Sequence, residues 1–251
     1  MNQNERNDYQ KTSYGDYRSI ERDEAIVPEV DQATGARIFV NRVYNWMFCG
    51  LMLTAVAAWG VTQLGEQAFK AVLGLSLPLM IVELVLVIVL SAAVRKMSPP
   101  VAGTLFIAYS VLNGVTLSPI FLVYTQTSIF LAFGSCALMF AATSTFGYLT
   151  GMRLDRIGSY CFMGLIGILI ASLVNFFLRS EALDYVISYV GIAVFVGLTA
   201  WDTQKMRMVG ESAGEEAQSD AMRKVAILFA LNLYLDFINL DRKSTRLNSS
   251  H

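Results

Sequence analysis

The sequence predicts an all-α polytopic membrane protein with seven transmembrane helices, the seventh of them truncated. Composition is the first observation behind this. Of 251 residues 55% are hydrophobic and only 16% charged, against roughly 25% charged in an ordinary globular chain, and mean hydropathy is +0.49. Distribution is the second: nearly half of the acidic and basic residues crowd into the first 42 positions and the last eleven. Between Val43 and Leu240 lie seven apolar blocks separated by short charged punctuation, which is the pattern of repeated bilayer crossings. The same arithmetic excludes a soluble enzyme, a secreted disulfide scaffold and a nucleic-acid binder, since a net charge of −1 and a pI near 5.9 supply no basic field for phosphates.

Residues 1–42 are polar throughout and contain no apolar core of a secretory signal, so they read as a disordered cytoplasmic tail. The first span runs from about Val43 to Thr62 and the second from about Leu75 to Val94. Ser98-Pro99-Pro100 breaks the chain, because prolines cannot continue a helix. The third span, about Val101 to Tyr124, contains Pro119 and should kink there. The fourth covers about Ile129 to Thr150, the fifth Tyr160 to Leu178 and the sixth Leu183 to Trp201. The seventh begins near Val225 and its apolar run stops at Leu240, a length of roughly 24 Å against a hydrocarbon core of roughly 30 Å.

The string after Leu240, Asp241-Arg-Lys-Ser-Thr-Arg-Leu-Asn-Ser-Ser-His251, places polar residues where that helix should continue across the bilayer. It matches a sequencing adapter translated in frame, and residues 241–251 are therefore expected to be non-native.

Loop charge sets the orientation. With the N-terminus in the cytoplasm, the inside loops hold Arg37, Arg42, Arg95, Lys96, Arg153, Arg156, Lys205, Arg207, Arg223 and Lys224, while the outside loops hold only Lys70 and Arg179. Cytoplasmic loops are the ones enriched in Lys and Arg. A multi-pass protein of a cell inner membrane with its N-terminus inside is the expectation.

Charged groups inside a bilayer cost at least about 2.5–3.5 kcal/mol each, so each needs a reason to be there. Three carboxylates qualify: Glu83 in the second span, Asp202 closing the sixth and Asp236 in the seventh. Arg95, at the cytoplasmic end of the second span, is the nearest cationic partner by orientation and could snorkel inward. One reading is a cation or proton site where the sixth and seventh helices meet; the other is that each carboxyl is protonated or hydrogen-bonded and only fixes packing. By residue counting Asp202 lies near the cytoplasmic interface and Asp236 roughly 18 Å in from Lys224, so contact between them requires the sixth helix to sit deeper or the seventh to begin below the interface. Asn113, Asn175 and Asn239 are expected to bond between helices.

Cys49, Cys136 and Cys161 lie in apolar blocks with no metal spacing, and the one histidine is the last residue. No Walker A, HExxH or nucleophile elbow occurs, and no nucleophile–base pair is evident. Neither an enzyme nor a bound cofactor is expected.

Two strings resemble the paired signatures of the Bax-inhibitor (transmembrane Bax-inhibitor-motif) family: Phe195-Val-Gly-Leu-Thr-Ala-Trp-Asp202-Thr-Gln-Lys205 and Leu233-Tyr-Leu-Asp236-Phe-Ile-Asn-Leu240. Its bacterial branch is similar also in Ser172-Leu-Val-Asn175-Phe and Val87-Ile-Val-Leu-Ser91. The resemblance implies seven helices with a central one surrounded by the others. It implies a pH-sensitive calcium leak gated by two aspartates that match Asp202 and Asp236, which makes that pair a candidate calcium site. Glu83 matches a glutamate of some members, and Arg95 is displaced by about one position from the arginine that contacts the pair. Some bacterial relatives suggest a second role, restraint of a membrane-bound ATP-dependent protease, which the long polar tail would suit.

Overall fold

The computed structural model describes the backbone of residues 3–123 and 125–248, and side chains from 33 to 245 other than 122–124, 126 and 215. The chain forms α1 (Gln3–Gln63), α2 (Glu66–Gly74), α3 (Ser76–Ala93), α4 (Pro99–Leu117), α5 (Ile120–Val123), α6 (Gln126–Leu149), α7 (Asp155–Leu178), α8 (Glu181–Ala213) and α9 (Asp220–Asn248). No strand occurs among the described residues. Among the described residues six segments are long and apolar enough to cross a membrane: Ala33–Gln63, Ser76–Lys96, Pro99–Leu117, Thr127–Leu149, Asp155–Leu178 and Glu181–Ala213. The protein is an all-α polytopic membrane protein.

The remaining long helix, α9, occupies the centre. Ala226, Ile227, Ala230, Leu231, Leu233, Tyr234, Phe237, Ile238 and Leu240 are all buried, and the helix packs against α1, α4, α6 and α8. An enclosed helix meets side chains rather than lipid, so it tolerates Asn, Asp and Tyr that a lipid-facing span would not. The outer helices are the reverse. α3 and α7 present rows of exposed Leu, Ile, Val and Phe, the surface expected against acyl chains.

Small residues let the helices approach. A Cβ at Gly114 would collide with the Thr54 carbonyl, and one at Gly50 with Phe106, so α1 and α4 cross almost backbone to backbone. Prolines set the ends of α4. Pro99 and Pro100 occupy its first turn, where their missing N–H groups are not needed. At the other end Pro119 does more than kink the span: α4 stops at Leu117 and a separate short turn, α5, follows. Ser118 Oγ donates to the Val115 carbonyl at 2.7 Å, satisfying one of the end acceptors.

Three boundaries differ from expectation. The packed body begins ahead of Val43, within the last residues of the segment expected to be a disordered tail, with Ala36, Phe39 and Val40 buried. Ala36, Phe39, Val40, Val43 and Met47 repeat at helical spacing on one buried face. Second, the outer loop after α1 contains α2, held by Phe69 and Val72 against Val61, Leu79 and Val115. Third, α9 does not stop at Leu240: the residues expected to be non-native continue it through Asn248, and the stem of Lys243 lies along Gly191 of α8. Residues 249–251 lie outside the described set.

Candidate site between the eighth and ninth helices

α8 is longer than the sixth span read from sequence. It passes Asp202 and runs to Ala213, about three further turns, while α9 starts at Asp220. Asp202 is therefore well inside the helix rather than at its end, and most of the expected depth mismatch with Asp236 disappears. The two carboxylates are buried, with 9% and 6% exposure, lie within electrostatic reach of each other and line one cavity. Thr199 of α8 lies against Asp236, whose Oδ2 is buried with no hydrogen-bond partner. A carboxylate oxygen without a donor is suited to carry a proton or to meet a cation.

The cavity is about 920 Å³ and brings in a third carboxylate from the opposite wall, Glu83 of α3. Thr116 Oγ1 of α4 donates to Glu83 Oε1 at 2.5 Å. Asn113 shares this wall: its Nδ2 donates to Tyr109 Oη at 3.1 Å, and its Oδ1 is buried without a partner. Asn239 also lines the cavity but its amide donates to the Leu235 carbonyl of its own helix, at 2.8 Å. Neither asparagine makes the interhelical bond expected of it. Asn175 lies elsewhere, at the α7–α8 turn, where its Oδ1 accepts from the Ser180 N–H at 3.0 Å and its Nδ2 donates to Asp184.

Arg95 does not partner the aspartates. It is exposed, lies outside the cavity and makes no ion pair among the described residues; its carbonyl accepts from Lys224 Nζ at 3.1 Å. An exposed arginine at a helix end gains more from water than from a buried carboxylate beyond its reach.

The base that does line the cavity with the aspartates is Lys205, accompanied by Arg242. Lys205 was assigned from sequence to a loop; continuing the helix past Asp202 places it one turn on, on the same face. Gln204 was missed for the same reason. It is 4% exposed, donates from Nε2 to the Met152 carbonyl at 2.6 Å and accepts from the Leu154 N–H at 2.9 Å, stapling the α6–α7 connection to α8. Arg207 Nη1 reaches the Tyr148 carbonyl in the last turn of α6, just ahead of that connection.

Basic residues assigned to inside loops gather at one end of the bundle, where Arg42 donates to the Ala217 carbonyl and Lys224 to that of Arg95. Among the described residues no group of three or more His, Cys, Asp and Glu is placed to hold a metal ion.

The family described as "Inhibitor of apoptosis-promoting Bax1" matches residues 36–241. The inner membrane protein YbhL of Escherichia coli (strain K12) is 48% identical over 214 residues, which is 84% of this chain and 91% of that protein. A protein of Borreliella burgdorferi is 40% identical over 206 residues, 80% of this chain and 87% of its own length. A membrane protein of Streptococcus pyogenes serotype M1 is 36% identical over 211 residues, 82% of this chain and 90% of its own. Glu83, Asp202, Lys205 and Asp236 all fall inside the matched stretch.

Proposed function

The chain belongs to the family of the inhibitor of apoptosis-promoting Bax1, and from that premise we propose that it is a proton-regulated, calcium-permeable leak channel of a bacterial inner membrane. The observation that carries the reading is the facing of Asp202 and Asp236 across α8 and α9 in a cavity that also takes in Glu83. Two carboxyls in a low-dielectric site cannot both ionise cheaply, and one proton shared between them would hold the two helices together. Calcium prefers carboxylate oxygen and takes six to eight oxygen ligands. Two aspartates supply at most four, so the ion would keep part of its water, which suits passage better than retention. Glu83 and the free Asn113 oxygen would meet it on the opposite wall.

The inside location of the N-terminus belongs to the same reading and is supported by the basic residues gathered at the Lys224 end. Calcium flux into liposomes, measured at two pH values with full-length protein, tests it: flux that depends on pH and loses that dependence in Asp236→Asn supports the channel, and a pH dependence indifferent to that substitution refutes it.

A second role, binding and restraint of a membrane-bound ATP-dependent protease, is favoured by the polar segment ahead of residue 33, for which a channel has no need. Deletion of residues 2–32 should then abolish co-purification of the protease and leave liposome flux intact.

A further inference from the structure

Lys205 follows Asp202 by three residues and Trp201 by four, so all three project from one side of α8. Its ammonium lies 3.4 Å from the centre of the Trp201 ring, within the range of a cation–π contact. The ring is itself fixed. Its Nε1 donates to Asp155 Oδ1 of α7 at 3.5 Å, and the indole packs so closely on Gly158 that a Cβ there would overlap it. Lys205 makes no ion pair among the described residues, yet it lines the cavity with both aspartates and lies within electrostatic reach of Asp202.

A lysine near the cytoplasmic end of a span ordinarily turns its charge outward to water. This one rests on an aromatic face. The charged groups around it are Asp202 on its own helix, Asp236 and Arg242 on α9, Glu83 on α3 and Asp155 on α7. Asp155 is engaged by Trp201 and Glu83 by Thr116, and Arg242 belongs to the stretch whose sequence reads as non-native. That leaves Lys205 as the cavity base facing the aspartate pair.

We propose that Lys205 is a tethered cation that competes with calcium for Asp202 and Asp236. It exchanges between the Trp201 face and the carboxylates, and a metal ion held by the pair confines it to the Trp201 face. The inference rests on the aspartate pair being a cation site, as in the proposed function, and adds an occupant built into the chain. A cation–π contact is a weak hold on an ammonium, so leaving the Trp201 face for a carboxylate costs little. Its flexible four-carbon stem and compact charge allow the exchange without movement of the backbone. A metal ion entering the pair must displace or repel it, which lowers apparent affinity.

The test is terbium(III) binding, as a calcium surrogate, to the full chain in lipid nanodiscs, read by emission sensitised through tryptophan. Lys205→Gln should bind terbium on the order of tenfold more tightly than the unmodified chain, Lys205→Arg should stay within about twofold because the charge is kept, and Asp202→Asn should lose most of the binding. Lys205→Met, similar in length and apolar, gives the same readout if the glutamine variant does not fold. Equal affinity in the neutral variants and the unmodified chain overturns the proposal, as does the absence of terbium binding in all of them. Unchanged terbium affinity would leave the liposome flux and its dependence on Asp236 untouched, so the two readings fail separately.

Discussion

Tyr234 Oη of α9 and Thr54 Oγ1 of α1 meet at 2.6 Å in the middle of the bundle. Thr54 Oγ1 is also 2.9 Å from the carbonyls of Gly50 and Ser110. A hydroxyl carries one proton. Thr54 gives it to a carbonyl, so Tyr234 is the donor in their contact. The tyrosine ring is fully buried and edge-on to Phe106 and Tyr109, at 5.9 and 5.7 Å between ring centres. One polar bond thus fixes the rotation of the central helix against α1 and α4.

Tyr234→Phe keeps the ring and removes the donor. It should cost about 1 kcal/mol, while Tyr234→Ala, which empties the space, should cost roughly 3–5 kcal/mol. Thr54→Val should cost more than Tyr234→Phe, since it also removes the bond from Thr54 to a carbonyl, and adding Tyr234→Phe to it should cost little more, because their shared bond is already gone. Reversible unfolding in mixed micelles measures the unmodified chain, the three single variants and the Thr54→Val, Tyr234→Phe double; a phenylalanine variant as stable as the unmodified one would mean that the bond contributes nothing.

Glycine substitutions should divide sharply by contact. A Cβ at Gly147 of α6 would run into the Ala200 carbonyl of α8, backbone that cannot move aside, whereas at Gly60 and Gly134 nothing lies within 4 Å. Gly147→Ala should therefore destabilise by roughly 1–3 kcal/mol and disturb the segment that carries Asp202. Gly60→Ala and Gly134→Ala should be neutral, or stabilising by up to about 1 kcal/mol, because alanine favours the helix. Thermal melting of the three variants side by side decides this, and equal loss in all three would contradict the packing.

What could be read from sequence follows from what faces lipid. The outer helices show themselves by hydropathy, since the bilayer demands an apolar exterior. The central helix does so weakly, because Asn232, Tyr234, Asp236 and Asn239 meet protein rather than acyl chains. The aspartate pair was legible as two intramembrane acids on consecutive helices. Its depth was not, because the last turns of α8 carry Gln204, Lys205, Arg207 and Glu211, a composition that looks like a loop until Gln204 and Arg207 are seen holding the α6–α7 connection and the end of α6. The partner base followed the same error: once α8 was ended at Asp202, Lys205 could not be placed beside it. The start of the packed body at Ala36 was legible at helical spacing, but only to a reader who looked for periodicity inside a charged segment.

Topology is tested by cysteine accessibility in intact cells. Single cysteines at Gln67, in α2, and at Tyr185, near the start of α8, should react with an impermeant thiol reagent from outside, and one at Ser212, near the end of α8, should not. The background is low where it matters, because Cys136 is buried and Cys49 and Cys161 lie within apolar helices. Labelling at Ser212 would invert the orientation and put the basic end of the bundle outside, against the usual distribution of Lys and Arg.

The sharpest prediction concerns the pair itself. If Asp202 and Asp236 share one proton, the bond between α8 and α9 is strongest while exactly one of the two is charged. Raising the pH removes that proton and sets two anions against each other, so the latch weakens and flux should rise. Lowering the pH neutralises both and takes away the charge that attracts calcium, so flux should fall. Asp202→Asn and Asp236→Asn each leave a single carboxyl without its aspartate partner, and each should flatten the pH dependence of calcium flux. The double variant should add little beyond either single one, because the titrating unit is the pair. Glu83→Gln, on the opposite wall and bonded to Thr116, should change conductance more than pH response. Liposome flux across a pH series in the four variants measures this. Additive effects of the two aspartates on the pH response would mean that they titrate independently, and the shared proton would then be the wrong account of how α8 is held to α9.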